Sequence, residues 1–187
     1  GLFGYTSGAT ITNLGIENAN ISISSSTTAQ KDVNVGVLVG YGGTSTNITN
    51  CYTTGNINSL NNVNNNVYGG GLAGQHLTGT VKNCYSTVNV NIFAGGLVGT
   101  KNDGTIDNCY AEGNVTATST SVSAQAGGLA GYLLGTGGTI THSYTTGNVV
   151  ANGETAYASG LLGRALDSRA YNIKYNYSTG YAIANGS

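Results

Sequence analysis

Residues 96–115 read Gly96-Leu97-Val98-Gly99-Thr100-Lys101-Asn102-Asp103-Gly104-Thr105-Ile106-Asp107-Asn108-Cys109-Tyr110-Ala111-Glu112-Gly113-Asn114-Val115. Three phrases stand in this stretch: Gly-Leu-x-Gly, Thr-Ile-x-Asn-Cys-Tyr and Gly-Asn-Val. Each recurs in the same order along the chain. The first phrase returns at Gly1-Leu2-Phe3-Gly4, Gly71-Leu72-Ala73-Gly74, Gly128-Leu129-Ala130-Gly131 and Gly160-Leu161-Leu162-Gly163, with a looser copy at Val37-Leu38-Val39-Gly40. Its closing glycines fall at 4, 40, 74, 99, 131 and 163, spaced 36, 34, 25, 32 and 32 residues apart. The second returns at Ile48–Tyr52 and Val81–Tyr85, and in weaker form at Ile11–Gly15, Ile140–Tyr144 and Ile173–Tyr177. The third returns at Gly55-Asn56-Ile57 and Gly147-Asn148-Val149, with Val88-Asn89-Val90 as a variant.

Internal self-similarity at such a period marks a repeat architecture. Short apolar stretches alternate with Gly and Asn, and no helical three-to-four periodicity occurs. Each unit reads as three short strands with three bends, one coil of a parallel β-solenoid. A single coil buries too little to stand alone, whereas stacking copies at ~4.8 Å pairs each strand with its neighbours. The expectation is an all-β parallel solenoid of about six coils, approximately 1–35, 36–69, 70–94, 95–126, 127–158 and 159–187, right-handed as crossover chirality favours. The absence of proline agrees, because proline would delete a ladder hydrogen bond.

In a stack, equivalent residues form columns. Leu2, Leu38, Leu72, Leu97, Leu129 and Leu161 make one, and Ile11, Ile48, Val81, Ile106, Ile140 and Ile173 another; both read as interior. The next residue is Thr12, Thr49, Lys82, Asp107, Thr141 or Lys174, an outward position where Lys82 and Asp107 are poised to pair. Asn13, Asn50, Asn83 and Asn108, followed by His142 and Tyr175, read as a corner ladder, since Asn tolerates left-handed backbone and bonds to nearby main chain. Cys51, Cys84 and Cys109 share a column with Leu14, Ser143 and Asn176. They read as reduced interior thiols, because parallel Cβ vectors one rung apart exceed disulfide separation. Tyr52, Tyr85, Tyr110, Tyr144 and Tyr177 form the candidate binding surface, an aromatic strip able to meet sugar rings. Cross-strand aromatic pairing explains the same spacing as a stabilising ladder. Which of Cys and Tyr faces the core stays open, because the Asn bend breaks simple alternation. Polar insertions at Ser59 to Asn65, Ser119 to Val122 and Ala151 to Glu154 are expected to project from one side, where solenoids often carry binding.

The chain has 187 residues, a formal net charge of −1 and 13 charged side chains, so no basic surplus exists to neutralise phosphates. Nucleic acid is therefore not expected as a partner. No apolar run approaches the ~20 residues of a membrane-spanning helix, so no insertion is expected. There is no Met and no visible signal peptide, which points to a processed piece or excised fragment.

The order of the three phrases resembles the GLUG repeat, and Ile11-Thr12-Asn13-Leu14-Gly15-Ile16-Glu17-Asn18-Ala19-Asn20-Ile21 resembles the variant coil that opens such arrays. The resemblance implies a segment of a large secreted or wall-attached bacterial protein, such as an adhesin or the noncatalytic repeat region of an immunoglobulin-A-cleaving metallopeptidase. The H-E-x-x-H motif of those peptidases is absent; the two histidines, His76 and His142, have no adjacent glutamate.

A β-helix glycan enzyme would need convergent carboxylates. Only Asp103, Asp107 and Glu112 lie close in sequence, beside Lys101, and they read as solvated loop charge. The Gly-Gly-x-Gly-x-Asp phrase of calcium-binding solenoids is missing, zinc-like Cys/His spacing is missing, and Lys82, Asp107 and Lys174 break the flat threonine rank that ice binding needs. No cofactor is expected. The sequence therefore points to an extracellular or cell-surface, noncatalytic stalk or adhesive rod. Its expected partner is a host glycan or protein, or copies of itself stacked end to end through open solenoid edges.

Overall fold

The computed structural model describes residues 1–24, 32–60, 67–119, 123–166 and 170–186. Its strands pair in parallel and form an all-β solenoid of between five and six turns. No helix among the described residues is long and apolar enough to cross a membrane.

Each full turn contributes to five ladders, where the sequence reading expected three strands. Ladder A follows Gly-Leu-x-Gly: Phe3–Thr6, Val39–Gly42, Ala73–His76, Val98–Lys101, Ala130–Leu133 and Leu162–Ala165. Ladder B carries the Ile column: Thr10–Thr12, Asn47–Thr49, Thr80–Lys82, Gly104–Asp107, Gly138–Thr141 and Asn172–Lys174. Ladder C carries the tyrosines (Tyr85–Ser86, Tyr110–Ala111, Tyr144–Thr145, Tyr177–Ser178) and ladder D the third phrase (Asn89–Asn91, Val115–Thr118, Val149–Gly153, Ala182–Gly186). In the first two rungs C and D run on as single strands, Gly15–Ile23 and Tyr52–Ser59. Ladder E precedes the Gly-Leu bend: Val33–Gly36, Val67–Gly70, Ala94–Gly95, Ala124–Gly127 and Ala156–Ser159.

The extra strands have identifiable causes. Asn13, Asn50, Asn83, Asn108, His142 and Tyr175 all adopt positive φ between 50° and 59°, a left-handed corner that separates B from C in every rung. Gly-Leu-x-Gly divides E from A. Its leucines stand one per rung, each Leu38, Leu72, Leu97 and Leu129 N–H donating to the leucine carbonyl of the next turn. The first glycine points inward against the residue after the tyrosine: a Cβ at Gly96 would lie 3.0 Å from the Ala111 Cβ, and one at Gly128 2.9 Å from the Thr145 Oγ1. That close approach pinches the cross-section, and two apolar clusters lie on either side. One holds the Leu, Ile and Cys columns with Val39, Ala73, Val98 and Ala130. The other holds Ile57, Val90, Val115 and Val149 with Val67, Ala94 and Ala126. The central Leu and Ile residues are fully buried, each stabilising the stack by roughly 1.5–3 kcal/mol. In the first and last of these rungs Leu2 is 58% and Ile173 41% exposed.

Ala151–Glu154, expected as a projecting insertion, is strand as far as Gly153, with Ala151 buried and paired to Ala117 and Ala184. Most of the other two insertions, residues 61–65 and 120–122, lies outside the described residues.

Candidate functional site

The left-handed corner decides which side chain faces out. After it, Cys51, Cys84 and Cys109 are 1% exposed, and the following tyrosines stand on the surface. Tyr52, Tyr85, Tyr110, Tyr144 and Tyr177 stack in sequence with ring centroids 5.0, 4.7, 4.9 and 5.0 Å apart and interplanar angles of 2–7°. This spacing is the inter-strand distance itself, so register sets the stack. Interior ring faces cover one another, leaving edges and hydroxyls for a partner. The Tyr52 hydroxyl donates to Glu17 Oε1 at 2.8 Å, and this bond to a carboxylate raises its pKa. Burial within the stack raises the hydroxyls of Tyr110 and Tyr144.

The asparagine corners form an amide ladder. Asn50 Nδ2 donates to Asn13 Oδ1 at 3.1 Å, Asn83 to Asn50 at 3.0 Å and Asn108 to Asn83 at 2.8 Å. His142 and Tyr175, which continue the column, stack with centroids 5.2 Å apart. Beside them Asp107 receives Lys82 Nζ on Oδ2 at 3.3 Å and meets His142 Nδ1 on Oδ1 at 3.0 Å. The His142 contact, with Thr141 and Lys82, holds the Asp107 carboxyl below the usual range. The expected Lys82–Asp107 pair is thus present, and the carboxylate is committed to its neighbours.

The cysteine column explains its own substitutions. Each thiol donates to the carbonyl two residues back, at 3.2 Å for Cys51, 3.1 Å for Cys84 and 3.3 Å for Cys109. Each site can also accept from the rung before: the Cys51 N–H reaches Cys84 Sγ at 3.4 Å, the Cys109 N–H reaches Ser143 Oγ at 3.1 Å, and the Ser143 N–H reaches Asn176 Oδ1 at 2.9 Å. Cys, Ser and Asn interchange because each both donates and accepts where the corner leaves main-chain groups unpaired. All three thiols are free. Sharing among the sulfurs, with burial, pushes the Cys51 thiol far up and that of Cys84 to about 12, so neither is a thiolate nucleophile at neutral pH.

Among the described residues the acidic side chains do not converge on a reaction centre. Asp103 accepts the Gly137 N–H at 2.9 Å, which with Thr136 lowers its carboxyl, and it serves the loop between ladders A and B. No cluster of three or more His, Cys, Asp or Glu side chains suited to a metal occurs among the described residues.

One pair was not anticipated. Lys101, expected as solvated loop charge, is 2% exposed and points inward, with Nζ 2.7 Å from His76 Nδ1 and donating also to the Gly79 and Asp103 carbonyls. His76 Nε2 lies 2.9 Å from the Thr46 carbonyl. A carbonyl only accepts, so Nε2 carries the proton and Nδ1 receives Lys101. Burial, with the ammonium beside it, drives the His76 pKa down to about 3, and burial lowers Lys101 to about 7. The available signal was the column Gly42, His76, Lys101, Leu133, Ala165, whose apolar members mark it as inward. Both polar groups lie inside the rod, beyond the reach of a substrate.

A family model described as the GLUG motif matches residues 65–91 and 94–116. Those matches lie on the third and fourth rungs, and the ladders carry the same register into the rungs on either side. Residues 65–91 and 94–116 are thus two stretches of the chain that match the GLUG motif. No curated protein and no solved structure matches it.

Proposed function

We propose that this array of GLUG repeats is a noncatalytic structural rod of a secreted or surface-attached bacterial protein, acting as a stalk that also binds a host glycan or protein. The observation that carries the reading is where the reactive side chains go. The thiols, the buried His76–Lys101 pair and Asp107 spend their hydrogen bonds on their own rung's main chain and on neighbouring rungs, and the outward tyrosines stack on one another. Such a body supplies length and a repeating surface of hydroxyls and amides; it offers no convergent acid and base. The test is a screen of the full chain against immobilised glycans and extracellular host proteins, alongside a panel of polysaccharide hydrolysis and elimination assays. Retention of a ligand without turnover is expected. Turnover abolished by a single carboxylate substitution would overturn the reading.

A further inference from the structure

The three cysteines repeat as one ligand copied along the rod. Each sulfur lies 3.1–3.3 Å from the carbonyl two residues back. Each also lies 3.5–3.7 Å from a carbonyl of the preceding rung, that of Ile11 for Cys51, Ile48 for Cys84 and Val81 for Cys109. Equal surroundings mean one shared rotamer, so successive sulfurs are related by the rung translation alone. The adjoining tyrosines gauge that translation on the same rungs, at 5.0 Å from Tyr52 to Tyr85 and 4.7 Å from Tyr85 to Tyr110. Cys84 therefore has a sulfur one rung away on either side, while Cys51 and Cys109 stand two rungs apart.

That spacing is too long for a disulfide and matches a different bridge. Two metal–thiolate bonds, at the ~2.3 Å of zinc–sulfur, span about 4.6 Å end to end. Side chains stand perpendicular to the sheet, so a bridge along the rod axis meets each Cβ–Sγ bond at roughly a right angle, as a metal-bound thiolate does. The Cys51 N–H, 3.4 Å from Cys84 Sγ, steadies the middle sulfur. The hydrogen bonds given up come from S–H, a weak donor. Among the described residues no group of three or more His, Cys, Asp or Glu side chains converges to complete a tetrahedral shell, which disfavours zinc. The next residue of the column, Ser143, offers a hard oxygen that soft ions pass over. Charge selects further. All three thiols are 1% exposed within an apolar cluster. There a singly charged ion between two thiolates leaves a buried negative charge, and a doubly charged ion leaves none.

We propose that Cys84, with either Cys51 or Cys109, forms a linear two-coordinate site for a soft divalent cation of the mercury(II) type. Binding breaks two S–H bonds, forms two sulfur–metal bonds and sends two protons to solvent; no electron moves. Both possible pairs need Cys84, so the column takes one ion per chain. A second ion on the shared sulfur would bring uncompensated positive charge into the same apolar cluster. The bound ion ties two successive rungs together from inside the rod. The site is independent of the stalk and adhesive readings.

The test titrates mercury(II) chloride into the reduced full chain, followed by thiolate-to-metal absorption in the ultraviolet and by X-ray absorption at the metal edge. The parent is expected to take up one ion with two sulfurs at bonding distance, and to melt at a higher temperature with the metal than without it. Serine substitutions separate the bridge from general thiol chemistry, since Ser143 already occupies this column. Cys51→Ser and Cys109→Ser each keep an adjacent pair and should bind as the parent does. Cys84→Ser leaves two thiols about 9.6 Å apart, twice the ~4.8 Å strand spacing. It should lose affinity on the order of 10²-fold, together with the two-sulfur signature. Should Cys84→Ser fail to fold, the double variant Cys51→Ser/Cys109→Ser, which keeps Cys84 alone, should show the same loss. Equal uptake by all the serine variants, as ligation by single thiols would give, overturns the proposal. So does a melting temperature that the metal lowers.

Discussion

Two inward columns of the same apolar cluster behave differently. The column of Ile48, Val81, Ile106 and Ile140 repeats nearly one side chain and is buried throughout. The column of Gly42, His76, Lys101, Leu133 and Ala165 changes at each rung, yet His76, Lys101 and Leu133 are as deeply buried as the isoleucines. Register buries a position whatever residue occupies it. The polar occupants persist because each finds partners, Lys101 three acceptors and His76 one carbonyl and one ammonium.

The strongest way to break the comparison is Lys101→Ala. It leaves His76 Nδ1 and two carbonyls unpaired around a void, and should cost about 3–5 kcal/mol in denaturant unfolding. Ile106→Ala, in the uniform column, removes only packing and should cost about 2–4 kcal/mol. The double variant His76→Leu/Lys101→Leu extends the Leu133 solution to its neighbours. It is expected to match or exceed the parent in stability, since apolar residues often replace buried polar pairs without loss.

Acid sharpens the contrast further. The His76 pKa is lowered from about 6.5 to about 3 by burial and by Lys101. Between those values the unfolded chain holds a proton that the folded chain does not, so stability rises with pH and is lost as pH falls from 6.5 toward 3. The loss should reach ~2–4 kcal/mol. The double leucine variant should stay flat until carboxylates protonate below about pH 4, where the lowered Asp103 and Asp107 act in the same direction. Melting temperatures from pH 3 to 7 for both chains test this. The smallest effect is at the corner: Asn83→Ala should cost ~1–2 kcal/mol through its left-handed backbone and lost amide bonds, and Asn83→Gly less than half of that.

Much of the fold was legible because the same phrases recur, and a phrase that recurs in a solenoid must stack. The Leu, Ile, Asn, Cys and Tyr columns follow from alignment alone. What stayed hidden depends on backbone conformation. The choice between Cys and Tyr as the inward side chain turns on the left-handed corner at Asn50 and its equivalents, which breaks the two-residue alternation of a strand. His142 and Tyr175 adopt that corner although neither residue type favours it, since neighbouring rungs impose it. Lys101 looked like loop charge because its chemistry was read before its column.

The parallel stack is the claim on which everything else depends, and a distance measurement tests it. With Cys51, Cys84 and Cys109 replaced by serine, the residue already present at Ser143 of that column, spin labels at Tyr52→Cys paired with Tyr144→Cys or Tyr177→Cys report separations across three and four rungs by pulsed electron resonance. The account predicts about 15 and 20 Å, differing by one ~4.8 Å rung. Equal separations, or values that do not grow with rung number, would contradict it.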